Sequence, residues 1–126
     1  MKSAYLVSLG ESFEVDVLQV ARTLGADVRE DVAQLRDDQD RLVTVFGGLG
    51  QDSASDWREG LSAAPGSGPL ADLSTAGAVS IECRWEDLFV SFVGRLAELL
   101  PSPSWVVDGD GVVWPATQVD PSAVRL

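Results

Sequence analysis

Carboxylates are the side chains with which this sequence could do chemistry, because it contains twenty aspartates and glutamates and no histidine. Two carboxyl groups that face each other across a cleft can hydrolyse a glycosidic bond, and several together can bind calcium. Without histidine, a Ser-His-Asp or Cys-His nucleophile and any imidazole metal ligand are excluded. Cys83 is the single cysteine, so an internal disulfide and a cysteine-rich metal site are excluded as well.

The fragment Asp-Gly-Asp-Gly at 108–111 is the one part of the sequence that resembles a calcium loop. An EF-hand needs further oxygen ligands before and after such a fragment, ending in a bidentate glutamate. Val106 stands two positions before Asp108, and Thr117 stands six positions after Gly111. The pattern therefore favours a hairpin turn, and no other pair of carboxylates lies in an apolar stretch as a catalytic acid would. We expect no catalytic residue, no metal and no cofactor.

The excess of acidic over basic residues limits the kinds of partner that this protein is expected to bind. Twenty acids against nine bases give a net charge of −11 and an isoelectric point near 4.1. Such a charge repels phosphate backbones, so nucleic-acid binding is not expected. The uncharged stretches are much shorter than the roughly 20 apolar residues that span a bilayer, and no signal-peptide pattern is present. These features, together with the lone cysteine, predict a soluble cytoplasmic protein that makes no contact with a membrane.

Two acidic segments are the predicted contact surface for a basic protein partner. The first is the turn at 37–40, and the second is the segment 52–59, which also carries a tryptophan of the kind enriched in interface hot spots. The predicted partner-binding residues are Asp37, Asp38, Asp40, Asp52, Asp56, Trp57 and Glu59. Two alternatives stay open: the turn is only a solvated turn, and Trp57 is a plug that pins its loop to the core.

The hydrophobic pattern divides the chain into short strands and two amphipathic helices. Val28, Val32 and Leu35 suit a helix as well as a strand, and the strand is favoured because a turn and a second strand follow. The predicted elements are, in chain order, a strand at 4–9, a helix from Ser12 to Gly25, a hairpin of 28–36 with 41–46, a strand at 78–85, a helix at 86–100 and a hairpin at 105–114.

The stretch from 47 to 77 is rich in glycine, serine, alanine and proline. A loop of that length without structure is uncommon, so this one is either mobile or functional. A short helix near 54–62 is expected within it, because a capping pattern precedes two apolar residues four positions apart.

The last hairpin has a nearly symmetric sequence on either side of its turn. A type II′ turn with Gly109 at its first central position would place Trp105 opposite Trp114 and Val107 opposite Val112. The single cysteine alternates with valine and isoleucine in its strand, which indicates a small buried hydrophobic residue.

A single α+β domain over residues 1–126 follows from these elements: a two-layer sandwich with two helices on one face of a mainly antiparallel sheet, in the order βαβββαββ. Its predicted core comprises Leu6, Val17, Leu18, Leu24, Val45, Val79, Ile81, Phe89, Phe92, Val93 and Leu96.

The element order and the final hairpin, Trp-Val-Val-Asp-Gly-Asp-Gly-Val-Val-Trp-Pro at 105–115, resemble small immunity proteins of bacterial polymorphic toxin systems. The bias toward alanine, glycine, valine and arginine is similar to that of high-GC actinobacterial proteins. The resemblance implies a cytoplasmic, monomeric protein that neutralises a cognate toxin domain by blocking its cationic active site with an acidic surface. The alternatives are an acidic secretion-type chaperone that binds a client segment as a homodimer, and a carboxylate enzyme or small-ligand binder.

Overall fold

The computed structural model describes residues 2–49 and 55–126, without the side chains of 55 and 56. The described residues form eight strands and three helices. The elements are β1 (Ser3–Ser8), α1 (Phe13–Thr23), β2 (Asp27–Arg29), β3 (Val32–Arg36), β4 (Leu42–Phe46), α2 (Ser55–Arg58), β5 (Ser62–Ala63), β6 (Gly77–Cys83), α3 (Glu86–Leu99), β7 (Ser104–Val107) and β8 (Val112–Pro115).

All eight strands belong to one sheet, in the order β2-β3-β4-β6-β1-β7-β8-β5. Every neighbouring pair is antiparallel except β5 and β8, which run parallel. The predicted α+β class with a mainly antiparallel sheet is therefore confirmed. Among the described residues, no helix has the length and apolar character needed to cross a membrane.

Helices α1 and α3 cover one face of the sheet, and the main core lies between these helices and the sheet. The buried side of α1 carries Phe13, Val17 and Ala21, whereas that of α3 is richer in large aromatic and aliphatic residues. Nine of the eleven predicted core residues are fully buried, while Leu18 and Leu24 are partly buried at the edge of the same cluster. The glycine expected to end the first helix does so, because Gly25 adopts a positive φ of 104° beyond the helix.

Within the described residues, the other face of the sheet is covered over β1, β7, β8 and the start of β6. There residues 57–76, here named the covering segment, bury a second apolar cluster whose members include Trp57, Leu73, Val7 and Val107. The stretch 47–77 was predicted as a long loop with a short helix near 54–62; its described part contains α2 within that range, adds β5 and buries apolar side chains. In the described part of the chain, the outward side of β3 and β4 contributes no residue to this cluster.

The ambiguous region at 28–36 forms strands, yet it is not one strand. A two-residue turn divides it into β2 and β3, with Arg29 paired to Val32. Glu30 takes a positive φ of 54° in this turn. The sequence prediction missed the break because Glu30 and Asp31 are not the glycine or asparagine that normally mark such turns.

The predicted register of the last hairpin is wrong by one residue. The structure pairs Trp105 with Pro115 and Val106 with Trp114, so the two tryptophans lie on opposite faces of the sheet. The turn is also different, because the positive φ of 78° belongs to Gly111 and not to Gly109. This arrangement is a three-residue loop whose last residue is left-handed, which shifts the pairing relative to a two-residue type II′ loop.

Candidate functional site

Most of the ion pairs lie at one end of the sheet, named here the compensated end: Lys2, the 37–41 loop, residues 84–87 and the 108–111 turn. Strand pairing brings these parts together, since Val43 is opposite Cys83 and Ser3 is opposite Glu82. The pairs are Arg41–Asp37 at 2.7 Å, Arg41–Asp87 at 3.2 Å, Arg36–Asp40 at 3.5 Å, Lys2–Glu86 at 2.6 Å and Arg125–Asp110 at 3.8 Å.

Asp37 organises the predicted acidic turn from within. Its carboxylate accepts hydrogen bonds from the backbone N–H of Gln39 and Arg41 and from Nε of Arg41, at 3.0, 2.8 and 2.7 Å. Desolvation, the largest single influence, raises the pKa of Asp37, but these hydrogen bonds and the guanidinium charge together outweigh it and hold that pKa below its usual value. Arg41 also lies over the Trp85 ring, with its guanidinium carbon 5.6 Å from the ring centroid. The contacts of the Asp37 carboxylate therefore stabilise the turn itself.

Asp37→Asn is expected to lower stability at neutral pH and to lose that effect in acid. The folded pKa of Asp37 lies below the ordinary value of 3.8, so its ionised form contributes stability above that value and loses it as pH falls through the folded pKa. Urea unfolding from neutral pH down to about pH 3 measures both proteins across this window. The two stability curves converge at the acidic limit.

Asp38→Asn is the matched control for this titration. It removes the same charge from the same turn, but Asp38 is exposed and forms no ion pair or hydrogen bond with the rest of the described chain. Its stability should follow the wild type at every pH. A gap between Asp37→Asn and wild type that persists at the lowest pH would contradict the assigned role of Asp37.

The structure separates the predicted partner-binding residues. Asp37 and Asp40 are held in ion pairs at the compensated end, while Asp38 stays exposed. Asp52 lies outside the described residues, as does the side chain of Asp56. Among the described residues, the 37–40 turn precedes β4, whereas Trp57 lies in the cluster over β1 and β7, so the two predicted segments lie over different strands of the sheet.

Trp57 is buried, with 5% of its surface exposed, in the cluster that attaches the covering segment to the sheet. Its ring centroid lies 6.4 Å from that of Tyr5, and the Arg58 guanidinium lies over it at 5.0 Å. The prediction of an exposed aromatic anchor is wrong, and the alternative in which Trp57 pins its segment to the core is confirmed. Glu59, two residues further on, is exposed.

Carboxylates without basic partners gather at the opposite end of the sheet, named here the acidic end: Glu11, Glu14, Asp16, Glu30 and Asp31. Two of them converge on one loop, because Gly48 N–H donates to Glu14 while Gly47 N–H donates to the Asp31 carbonyl. Side-chain atoms of both acids crowd these glycines so closely that a Cβ at either position would collide with them. Within residues 2–49 and 55–126, none of the five forms an ion pair.

Exposed apolar side chains accompany these acids. Leu9, Val15 and Leu99 are 51%, 63% and 53% exposed. Leu9 follows the end of β1, and Leu99 ends α3 shortly before Ser104 pairs with Ser8. Each therefore lies toward the end of the sheet where α1 begins. A surface with unpaired carboxylates around apolar side chains is suited to contact a basic protein surface.

Sequence reasoning missed this end because it searched for runs of acids. The run at 37–40 is flanked by Arg36 and Arg41, a signal that its charge would be neutralised locally. The acids of the opposite end are spread over 11–16 and 30–31 in the sequence, and only folding brings them together.

Asp108 and Cys83, two other residues that the sequence singled out, are both buried in the fold. Asp108 is buried, and its carboxylate accepts four hydrogen bonds, from the N–H groups of Asp110, Val112 and Arg125 and from the Trp114 indole. In the part of the chain that the structure describes, no three histidine, cysteine, aspartate or glutamate side chains come together as a metal site. Burial is the main influence that raises the pKa of the Cys83 thiol, in keeping with its predicted role as a small buried residue.

A scan against protein-family models and searches of curated proteins and of solved structures found no match to this chain.

Proposed function

We propose that this protein is an immunity-type inhibitor: a cytoplasmic protein, monomeric when free, that binds a cognate toxin domain and blocks its basic active site. It acts by binding and not by catalysis. The observation that carries the proposal is the distribution of ion pairs in the described chain: five of the six lie at the compensated end, the sixth joins Arg29 and Asp27 in β2, and the five carboxylates of the acidic end form none. In this proposal the contact surface is centred on the acidic end and not on the 37–40 turn.

Unpaired carboxylates support this function because no neighbouring basic side chain neutralises their negative charge. A carboxylate that is already bonded to an arginine has little attraction left for a partner, whereas an exposed unpaired one steers a cation toward it. Toxin domains that act on nucleic acids or dinucleotides have cationic active sites, since their substrates are anionic. An acidic surface accelerates association with such a site, by up to about a thousandfold over a neutral pair at low salt.

Apolar contacts would then slow dissociation. Electrostatic attraction acts mainly on the association rate, so a long-lived inhibitory complex also needs surface that is removed from water. Leu9 and Val15, on either side of the first acidic residues of α1, provide such surface.

Co-expression tests this function directly. The proposal requires a large toxin-bearing reading frame next to this gene; the C-terminal domain of that frame is produced in a bacterial host with and without the present chain. Restored growth together with a stoichiometric complex in light scattering is the expected result. Growth that stays inhibited, a chain that forms a stable homodimer and ignores the toxin domain, or a gene with no toxin-bearing neighbour would each overturn the proposal.

A further inference from the structure

The outward side of β3, β4 and the end of β6 borders a cavity of about 440 Å³. Val43 and Val45 point into the main core on the other side of the sheet. Because successive side chains of a strand alternate, Leu42 and Phe46 point away from that core and give the cavity apolar surface. The volume lies within the range of small-molecule binding sites, which is about 300–1,000 Å³.

Four charged side chains line this cavity, and two of them neutralise each other. Arg36 donates to the Asp40 carbonyl at 3.1 Å, and its guanidinium lies 3.5 Å from the Asp40 carboxylate. The other two are Glu82 and Arg84, which form no ion pair and no side-chain hydrogen bond within the described chain. The lining is therefore neutral overall, yet it presents one unpaired negative charge and one unpaired positive charge.

The spacing of these two charges limits what can bind. Glu82 and Arg84 lie two residues apart on the same side of one strand, with about 7 Å between their Cα atoms. Side chains of their length can pair across that distance, but here they do not. A ligand with a single charge would be attracted by one of them and repelled by the other. A ligand with an ammonium and a carboxylate group would pair with both.

We propose that this cavity binds a free α-amino acid with a large apolar side chain. The ligand's ammonium donates to the Glu82 carboxylate, and its carboxylate accepts hydrogen bonds from the Arg84 guanidinium. Leu42, Phe46 and Trp85 supply the apolar surface against which its side chain is removed from water. The inference is independent of the proposed function, because none of the five carboxylates of the acidic end lines this cavity.

Titration of isotope-labelled protein with phenylalanine tests the site by NMR. Phenylalanine is expected to shift the amide signals of residues 44, 82 and 84 saturably. Three related probes each lack one recognised group: glycine has no apolar side chain, N-acetylphenylalanine has no ammonium, and phenylalanine amide has no carboxylate. Each is expected to bind at least about tenfold more weakly, because each loses either the apolar contact or one charge-assisted interaction.

Phenylalanine amide is the most discriminating of these probes. It is a cation, so the net charge of −11 attracts it more strongly than it attracts the neutral zwitterion. Attraction by the net charge alone would therefore make the amide the better ligand. Weaker binding of the amide is expected only if a positive group, here Arg84, recognises the carboxylate of phenylalanine.

Two variants assign the charged groups of the ligand to their partners. Glu82→Gln is expected to lower the affinity for phenylalanine about tenfold and to leave that for N-acetylphenylalanine unchanged, since this probe has no ammonium. Arg84→Gln is expected to act in the same way on phenylalanine, without lowering the affinity for phenylalanine amide. Both side chains reach solvent and form no ion pair or side-chain hydrogen bond in the described chain, so the fold should be retained.

Glu98→Gln and Arg95→Gln are the matched controls. They remove the same charges from exposed side chains of α3, on the opposite face of the sheet, and should bind phenylalanine as the wild type does. The site is refuted if phenylalanine causes no saturable shift, if the amide binds as tightly as phenylalanine, or if Glu82→Gln or Arg84→Gln keeps the wild-type affinity. None of these results bears on toxin neutralisation, which is measured separately by co-expression.

Discussion

Replacement of Asp108 by alanine is expected to lower the free energy of unfolding by about 4 kcal/mol, which is a large part of the stability of a domain of this size. The carboxylate is buried at 6% exposure and accepts hydrogen bonds from three backbone N–H groups and one indole N–H, at 2.9 to 3.2 Å. Alanine leaves all four donors without this acceptor.

The expected loss of stability has three parts: the turn, the Trp114 indole and the C-terminal tail. The turn N–H groups of Asp110 and Val112 lose the acceptor that fixes the three-residue loop, yet both are near enough to solvent to find water. The Trp114 indole is 6% exposed and cannot, so its buried N–H carries the full penalty of an unsatisfied donor, about 1–3 kcal/mol. The bond to Arg125 N–H also attaches the C-terminal tail, 17 residues away.

Asp110→Ala is the control variant in the same turn. Asp110 is exposed, and its only side-chain contact in the described chain is a 3.8 Å ion pair with Arg125, so the expected cost is below about 0.5 kcal/mol. Urea unfolding followed by tryptophan fluorescence gives both values. A loss for Asp108→Ala no greater than that for Asp110→Ala would show that the carboxylate does not hold the hairpin.

Local sequence patterns predicted most of this fold. The alternation over β6 and the helical stripes of α1 and α3 depend on residues close in sequence, and these elements appear within one or two residues of their predicted bounds. Gly25 was identifiable as a helix end for the same reason, because ending the helix there requires only that Gly25 itself adopt a positive φ.

Features that depend on distant contacts were not predictable in this way. The hairpin register is set by Asp108, which selects a three-residue loop through bonds that include one to Arg125. Trp57 is buried because the outward sides of β1 and β7 provide an apolar surface, and nothing around Trp57 in the sequence indicates that surface. Hydrophobic pattern reports which side of a strand is apolar, but not which other segment covers it.

Which acids of the candidate site are ion-paired was likewise not predictable from the sequence alone. Counting acids predicted the 37–40 turn, but Arg41 of that turn also binds Asp87, 46 residues away, and Lys2 binds Glu86, 84 residues away. Such pairs are made by strand order, so only the folded chain shows which carboxylates remain free. The five carboxylates of the acidic end are among those that remain.

Charge reversal at that end should therefore have the larger effect on binding. The double variant Glu11→Lys, Glu30→Lys is expected to slow association with the toxin domain by about ten- to a hundredfold at low salt, because it changes both the local field and the net charge. Each reversal adds two positive units, so the net charge goes from −11 to −7. Both side chains are exposed and form no described contact, so the fold should be retained.

Asp38→Lys, Glu59→Lys is the matched variant, with the same net charge and two exposed acids from the segments that the sequence favoured. Stopped-flow association at several salt concentrations compares the two. A surface that steers the partner loses both rate and salt dependence when its charge is reversed, whereas a distant charge contributes only through the screened net field. If the second variant slows association as much as the first, the contact includes at least one of the two segments that the sequence favoured, and the acidic end is not what directs binding.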